Sequence, residues 1–163
     1  MKLEHISKWI PKNEMKEILL DDEIKSWLLE EGPITKKIKS NHIFDLDLLN
    51  DSIGKINSSE RSFLNNVVGE VKIREVILLA DKKPLVFARS HIPKITIEKG
   101  LKKLGKLGTK PLGDILFEKK LFIKNKTVFS TFSYENKDYW GRKTLYFINN
   151  LPLSVMEVFL INK

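Results

Sequence analysis

Hydrophobic positions along the chain follow two rhythms, helical near the start and in part of the middle, alternating elsewhere. In "DDEIKSWLLEEG", Ile24, Trp27 and Leu28 recur at helical spacing. Asp21 and Asp22 suit a helix start and Gly32-Pro33 a stop, so a helix is predicted between them. Residues 34 to 56 are ambiguous. Within them "HIFDLDLLN" alternates well enough for a strand, with Ile43, Asp45 and Asp47 on one side and Phe44, Leu46 and Leu48 on the other. "EVKIREVILLA" (70 to 80) and "PLVFARSHI" (84 to 92) have strand composition, and the short polar "DKK" between them predicts a β-hairpin. Pro93 ends the second strand. Helical spacing then returns at Ile97, Leu101 and Leu104, while Lys99, Lys102, Lys103 and Lys106 point elsewhere. "GTKPLGDILF" is a Gly/Pro-punctuated connection into one more short helical turn.

Three further strand candidates make up the tail: "KKLFIKNKTVFSTFSY", "YWGRKTLYFIN" and "LSVMEVFLI". The loops "ENKD" and "NNLP" between them have good turn chemistry. Strands joined by tight turns make an antiparallel sheet. Its apolar face needs a cover, so the helices are expected over one face, in an α+β sandwich. No repeat or flexible linker divides residues 1 to 163, and one domain is the expectation.

Composition narrows the function classes only a little. Lys and Arg number 29 against 21 acidic residues, a formal net charge of +8. Such a balance suits anionic partners, yet most of the excess is lysine spread along the chain, which also describes a solvated surface. The absence of cysteine fits a reducing compartment. No basic-then-apolar leader and no membrane-length apolar run appears, so a soluble cytoplasmic protein with no membrane partner is expected. His5, His42 and His91 are far apart and lack metal-ligand spacing; no metal site is expected.

The arginines are few: Arg61, Arg74, Arg89 and Arg142. Alternation puts Arg74 on a face with Val76 and Leu78, and Arg89 on a face with Leu85 and Phe87. It also puts Glu157 among Leu153, Val155, Phe159 and Ile161. An unpartnered buried charge costs several kcal/mol or more. Two readings stay open. Glu157 pairs with an arginine for structural reasons, or arginine forks and one carboxylate line an internal pocket for a small molecule bearing carboxylate and hydroxyl groups. "GKLG" (105 to 108) matches the loop of one RNA-binding module, and equally a helix C-cap followed by a turn.

Four blocks in order resemble the chorismate lyase (chorismate pyruvate-lyase) family: "SWLLEEGPITKKI", "REVILLADKKPLVFARSHIP", "KLGTKPLGDILF" and "YWGRKTLYFINNLPLSVMEVFL". They span residues 27 to 160, and the region from about 36 to 69 matches poorly. The resemblance implies a six-stranded antiparallel sheet, helices on one face, and a buried ligand cavity. It implies cleavage of chorismate to 4-hydroxybenzoate and pyruvate with no cofactor or metal, by a monomer or weak homo-oligomer with no nucleic acid partner. By motif position, Arg74 takes the ring carboxylate and Glu157 meets the ring hydroxyl. Leu112 supplies a backbone contact, Arg89 partners the enolpyruvyl carboxylate, and Ile34 stands where the family often has methionine. Two rivals remain. A non-catalytic ligand-sensing domain of the same fold would need a DNA-binding module in front, and the first 60 residues lack its paired helices. An RNA-binding protein would rest on net charge and "GKLG".

Overall fold

The structure, a computed structural model, describes residues 1–118 and 120–162. Its frame is an antiparallel sheet with six long strands: β3 (Phe44–Gly54), β4 (Val71–Ala80), β5 (Lys83–Pro93), β6 (Ile123–Tyr134), β7 (Lys137–Ile148) and β8 (Leu151–Phe159). Two short strands, β1 (Glu4–His5) and β2 (Ile10–Pro11), pair with β6. The order across the sheet is β1-β6-β7-β8-β5-β4-β3. The expected α+β architecture is the one found. Three hairpins turn on two residues each, Asp81-Lys82, Glu135-Asn136 and Asn149-Asn150, all with positive φ. That geometry matches the twist of the strands it joins, and Asn and Asp tolerate it best.

β8 comes last in sequence but lies between β5 and β7. It is therefore covered on both faces, and only Leu151 and Glu157 escape full burial. On one face α1 (Lys12–Lys16), α2 (Asp22–Leu28) and α3 (Ile34–Asn41) set Met15, Ile24, Leu28 and Ile38 against Val76, Leu78, Val86 and Phe159. Asp21 accepts the Glu23 N–H at 2.9 Å and caps α2. Farther along the same face, α5 (Lys94–Lys99), a 3-10 turn (Lys102–Gly105) and α6 (Leu112–Glu118) set Leu104, Leu112 and Leu116 against Ile92, Leu153 and Val155. Between these two clusters the face stays open.

Two elements depart from the sequence expectation. The helical spacing through Leu104 is split after Lys99. A side chain at Gly100 would collide with the Thr96 carbonyl and come within 2.9 Å of Ile148 Cγ2, so the chain turns there. Leu104 still reaches the core, by way of the 3-10 turn. The second face of the sheet is also covered. The N-terminal segment lays Leu3 and Trp9 on a cluster of Ile77, Phe87, Phe132, Met156 and Val158. Helix α4 (Ser58–Phe63) joins that side, with the Phe63 ring 4.2 Å from the Lys143 ammonium. Asn57 and Glu60 form a reciprocal cap at its start.

Gly141 sits where β7, β8 and β6 meet. A Cβ there would lie 2.9 Å from the Glu157 carbonyl oxygen, 2.9 Å from Phe132 Cε2 and 3.1 Å from Val158 Cγ2. Gly141→Ala is expected to destabilise by about 1–3 kcal/mol through overpacking. A lower denaturant midpoint at unchanged slope checks this.

Candidate active site

Antiparallel pairing places directly opposed residues on one face. The ladder sets Arg142 against Glu157, Glu157 against Ala88, and Ala88 against Val76. One row along, Thr144 meets Val155, Val155 meets Ser90, and Ser90 meets Arg74. These two rows are the floor of the open stretch between the helix clusters. Ile34 and Thr35 of α3 and Leu112 and Leu116 of α6 close over it. Together they line one cavity on this face of the sheet. Thr35 Oγ1 donates to Asp114 Oδ1 at 2.7 Å, which ties the two covering helices together.

Arg74 is 2% exposed. Its Nη2 donates to the carbonyls of Gly108 and Lys110, at 3.1 and 2.7 Å. The "GKLG" segment thus ends in a turn that presents backbone oxygens to a cavity arginine, with Gly108 at positive φ. Nε is buried and has no hydrogen-bond partner. Burial pulls the guanidinium pKa down, and Asp51 opposes that pull. A buried donor left unmade costs about 1–3 kcal/mol. A carboxylate in the cavity would satisfy it.

Across the floor, Arg142 Nε donates to Glu157 Oε1 at 2.9 Å. Its Nη1 donates to the Leu28 and Glu30 carbonyls, at 3.1 and 2.6 Å. The arginine therefore satisfies the end of α2 and neutralises Glu157 at once. Both open readings of Glu157 hold in part: it pairs with an arginine, and it faces a cavity. Tyr146 lines the same space; burial, with help from the Glu157 charge, pushes its phenol up to about 12 and keeps it protonated. At the rim Lys124 reaches Glu31 at 3.3 Å. Among the described residues no group of His, Cys, Asp and Glu is placed to hold a metal ion.

Of the residues singled out in the sequence, Arg74, Glu157, Leu112 and Ile34 come together around this cavity. Arg89 does not join them. It lies on the opposite face, giving Nε and Nη2 to Glu75 Oε2 at 3.0 and 2.8 Å. The cause is a bulge. The Asp81-Lys82 turn starts a register that, unbroken, would set Arg74 opposite Arg89. The register shifts between Leu78 and Leu79, Leu85 is left over, and Ser90 becomes Arg74's partner. Arg142, Tyr146, Lys124 and Ser90 are cavity residues that alternation within single strands did not single out. For Arg142 a signal existed. The two-residue Asn149-Asn150 turn sets Ile148 against Leu151, and counting back along both strands reaches Arg142 and Glu157.

The family model described as chorismate lyase matches residues 3–163. The chain is 30% identical to a protein named probable chorismate pyruvate-lyase from Psychromonas ingrahamii, over 85% of this chain and 83% of that one. It is 31% identical to probable chorismate pyruvate-lyase 2 from Pseudomonas entomophila, over 93% and 87%. Among solved structures, a GntR-family transcriptional regulator from Enterococcus faecalis aligns with a TM-score of 0.54 at 15% identity, covering 75% of this chain and 93% of that one. A Bacillus cereus regulator of the same family aligns at 0.53 and 9%, covering 72% and 91%. At those identities the structures speak for the fold alone. With a family match over nearly its whole length, an antiparallel sheet under paired helix clusters, and an arginine-floored cavity between them, this chain belongs to the chorismate lyase family.

Proposed function

We propose that the protein cleaves chorismate to 4-hydroxybenzoate and pyruvate without cofactor or metal. The observation that carries this reading is the buried Arg74 guanidinium, which lines the cavity with its Nε unsatisfied. Arg74 takes the ring carboxylate through the donors it does not give to Gly108 and Lys110. Leu112 adds a backbone contact and Ile34 an apolar wall. Glu157 accepts from the ring hydroxyl with the oxygen that does not face Arg142. Since Arg89 is outside the cavity, the enolpyruvyl carboxylate falls to Arg142 and to Lys124 at the rim.

The chemistry asks little more of the protein. The ether C–O bond to the ring breaks. The hydrogen on the neighbouring hydroxyl-bearing carbon passes to the enolpyruvyl methylene, which becomes the methyl of pyruvate. The ring becomes aromatic and supplies the driving force. Atoms and electrons balance within the substrate. The residues hold a dianion in the reactive conformer and stabilise charge on the departing oxygen. Because the hydrogen passes within the substrate, Glu157 has only to orient the ring hydroxyl. The reading is of one domain working as a cytoplasmic monomer or weak homo-oligomer on small molecules, without nucleic acid or membrane.

Purified protein with chorismate in chelating buffer should yield 4-hydroxybenzoate and pyruvate above the uncatalysed rate. Folded protein giving only background would favour a sensing domain of the same fold.

Arg74→Lys keeps the charge and loses the planar fork. Affinity for 4-hydroxybenzoate should fall by about 1.5–3 kcal/mol, the range for a hydrogen bond to a charged group. Calorimetric titration reads it, and unchanged affinity would remove Arg74 from the ligand.

Glu157→Gln lets an amide oxygen still accept from Arg142 Nε, while the two carbonyl partners remain. Stability should fall by only about 1 kcal/mol, the difference between charged and neutral hydrogen bonds. Turnover should fall far more. Thermal midpoint and turnover on one preparation decide the matter; activity that merely tracks the folded fraction would assign Glu157 to structure alone.

A further inference from the structure

The sheet face turned away from this site holds a second cavity, with an empty volume of about 890 Å³. Its floor uses the intervening residues of the same strands. Arg89 of β5, Met156 of β8 and Lys143 of β7 stand in one row, and His91 faces Ser154 in another. Its roof comes from the N-terminal segment and α4, mainly through Trp9, Glu60 and Phe63. The sheet itself separates the two spaces.

The charges on this floor are unevenly matched. Arg89 is taken by Glu75. His91 Nε2 lies 3.5 Å from Glu60 Oε2, while Glu60 Oε1 accepts the Asn57 N–H at 2.9 Å. Among the described residues, the Lys143 ammonium has neither a hydrogen bond nor an ion pair. It stands 4.3 Å from the Trp9 ring centre and 4.2 Å from that of Phe63. Ring faces attract a cation, but they leave its three N–H donors without strong acceptors. Glu60 favours the charge only from beyond ion-pair distance. Burial lowers the Lys143 pKa to about 8, so the group is still a cation at neutral pH. A half-buried cation without an anion, on the wall of a cavity, calls for an anion from outside the chain.

We propose that this second cavity binds a small monocarboxylate with an apolar, ring-sized body, its carboxylate on the Lys143 ammonium and its body against Trp9, Phe63, Phe132 and Met156. The single charge follows from the partners. Arg89 already faces Glu75, Lys143 lacks an acceptor of its own, and a second negative charge would stand near Glu60. The apolar body follows from the walls, which are two aromatic rings above and an aromatic ring and a thioether below. Ser154 and Asn57 offer neutral polar groups at the edges. Nothing in this assignment depends on the chemistry proposed for the first cavity.

The probe is benzoate, and the reporter is Trp9, one of three tryptophans in the chain. Protein labelled with 5-fluorotryptophan gives a fluorine resonance for each, assigned with Trp9→Phe. Benzoate should shift the Trp9 resonance saturably at pH 7, and benzamide, its neutral counterpart, should not. Lys143→Met should weaken benzoate at Trp9 by about tenfold or more, the equivalent of losing a charged hydrogen bond. Lys143→Arg should retain it, which separates loss of charge from loss of fold. The proposal is overturned if benzoate leaves Trp9 unmoved, if benzamide binds as well, or if the folded Lys143→Met protein binds benzoate as tightly as the parent.

Discussion

The pairing of Arg142 with Glu157 is the constraint on which the rest of the candidate site hangs. Two ions brought into a sheet interior lose their water, and their attraction alone seldom makes up the loss. Here the deficit is reduced by the α2 carbonyls of Leu28 and Glu30, which occupy the other arm of the guanidinium. The result joins three elements at one point: a helix end, an inner strand and its neighbour. Glu157 is held at a fixed place on the cavity floor.

Arg74 shows the complementary arrangement. Its partners on the protein are neutral carbonyls, so its charge remains available. One arginine on the floor pairs directly with an acid, and the other has no ion pair of its own among the described residues, with Asp51 acting on it only from a distance. That asymmetry gives the cavity a direction, from the Arg74 guanidinium at one end to the Arg142–Glu157 pair at the other. A flat patch of surface lysines, which the composition alone would suggest, has no such polarity.

Much of this was legible in the sequence because β-strands have period two. Arg74 and Glu157 betray themselves as charges on otherwise apolar faces, and helix α2 follows from Ile24, Trp27 and Leu28. Residues 34 to 56 did not declare themselves because a short helix, α3, passes into a strand, β3, with the two rhythms sharing few residues. The helical spacing is split at Gly100, where the backbone lies against both the Thr96 carbonyl and Ile148, and the apolar spacing alone carries no trace of it. Arg89 was assigned to the wrong face for a related reason. Within its own strand it sits among apolar residues like Arg74, but which face that is depends on how the neighbouring strand is aligned. The covering of the second face was invisible for the same cause, since β1 and β2 are two residues long and owe their existence to β6.

A sheet used on both sides counts residues as well as reading them. In the β4–β5 hairpin, Leu85 is the one residue without an opposite number, and it acts as a parity bit for everything beyond it. Were the strand to pair straight through that position, with Leu85 opposite Leu78, Arg89 would slide opposite Arg74. Two guanidinium groups would then crowd one chamber, Glu75 would lose its partner, and His91 would leave the other chamber for this side. Most substitutions perturb one face at a time. A slip of register here would exchange the contents of both, so the bulge at Leu85 keeps the two chambers distinct.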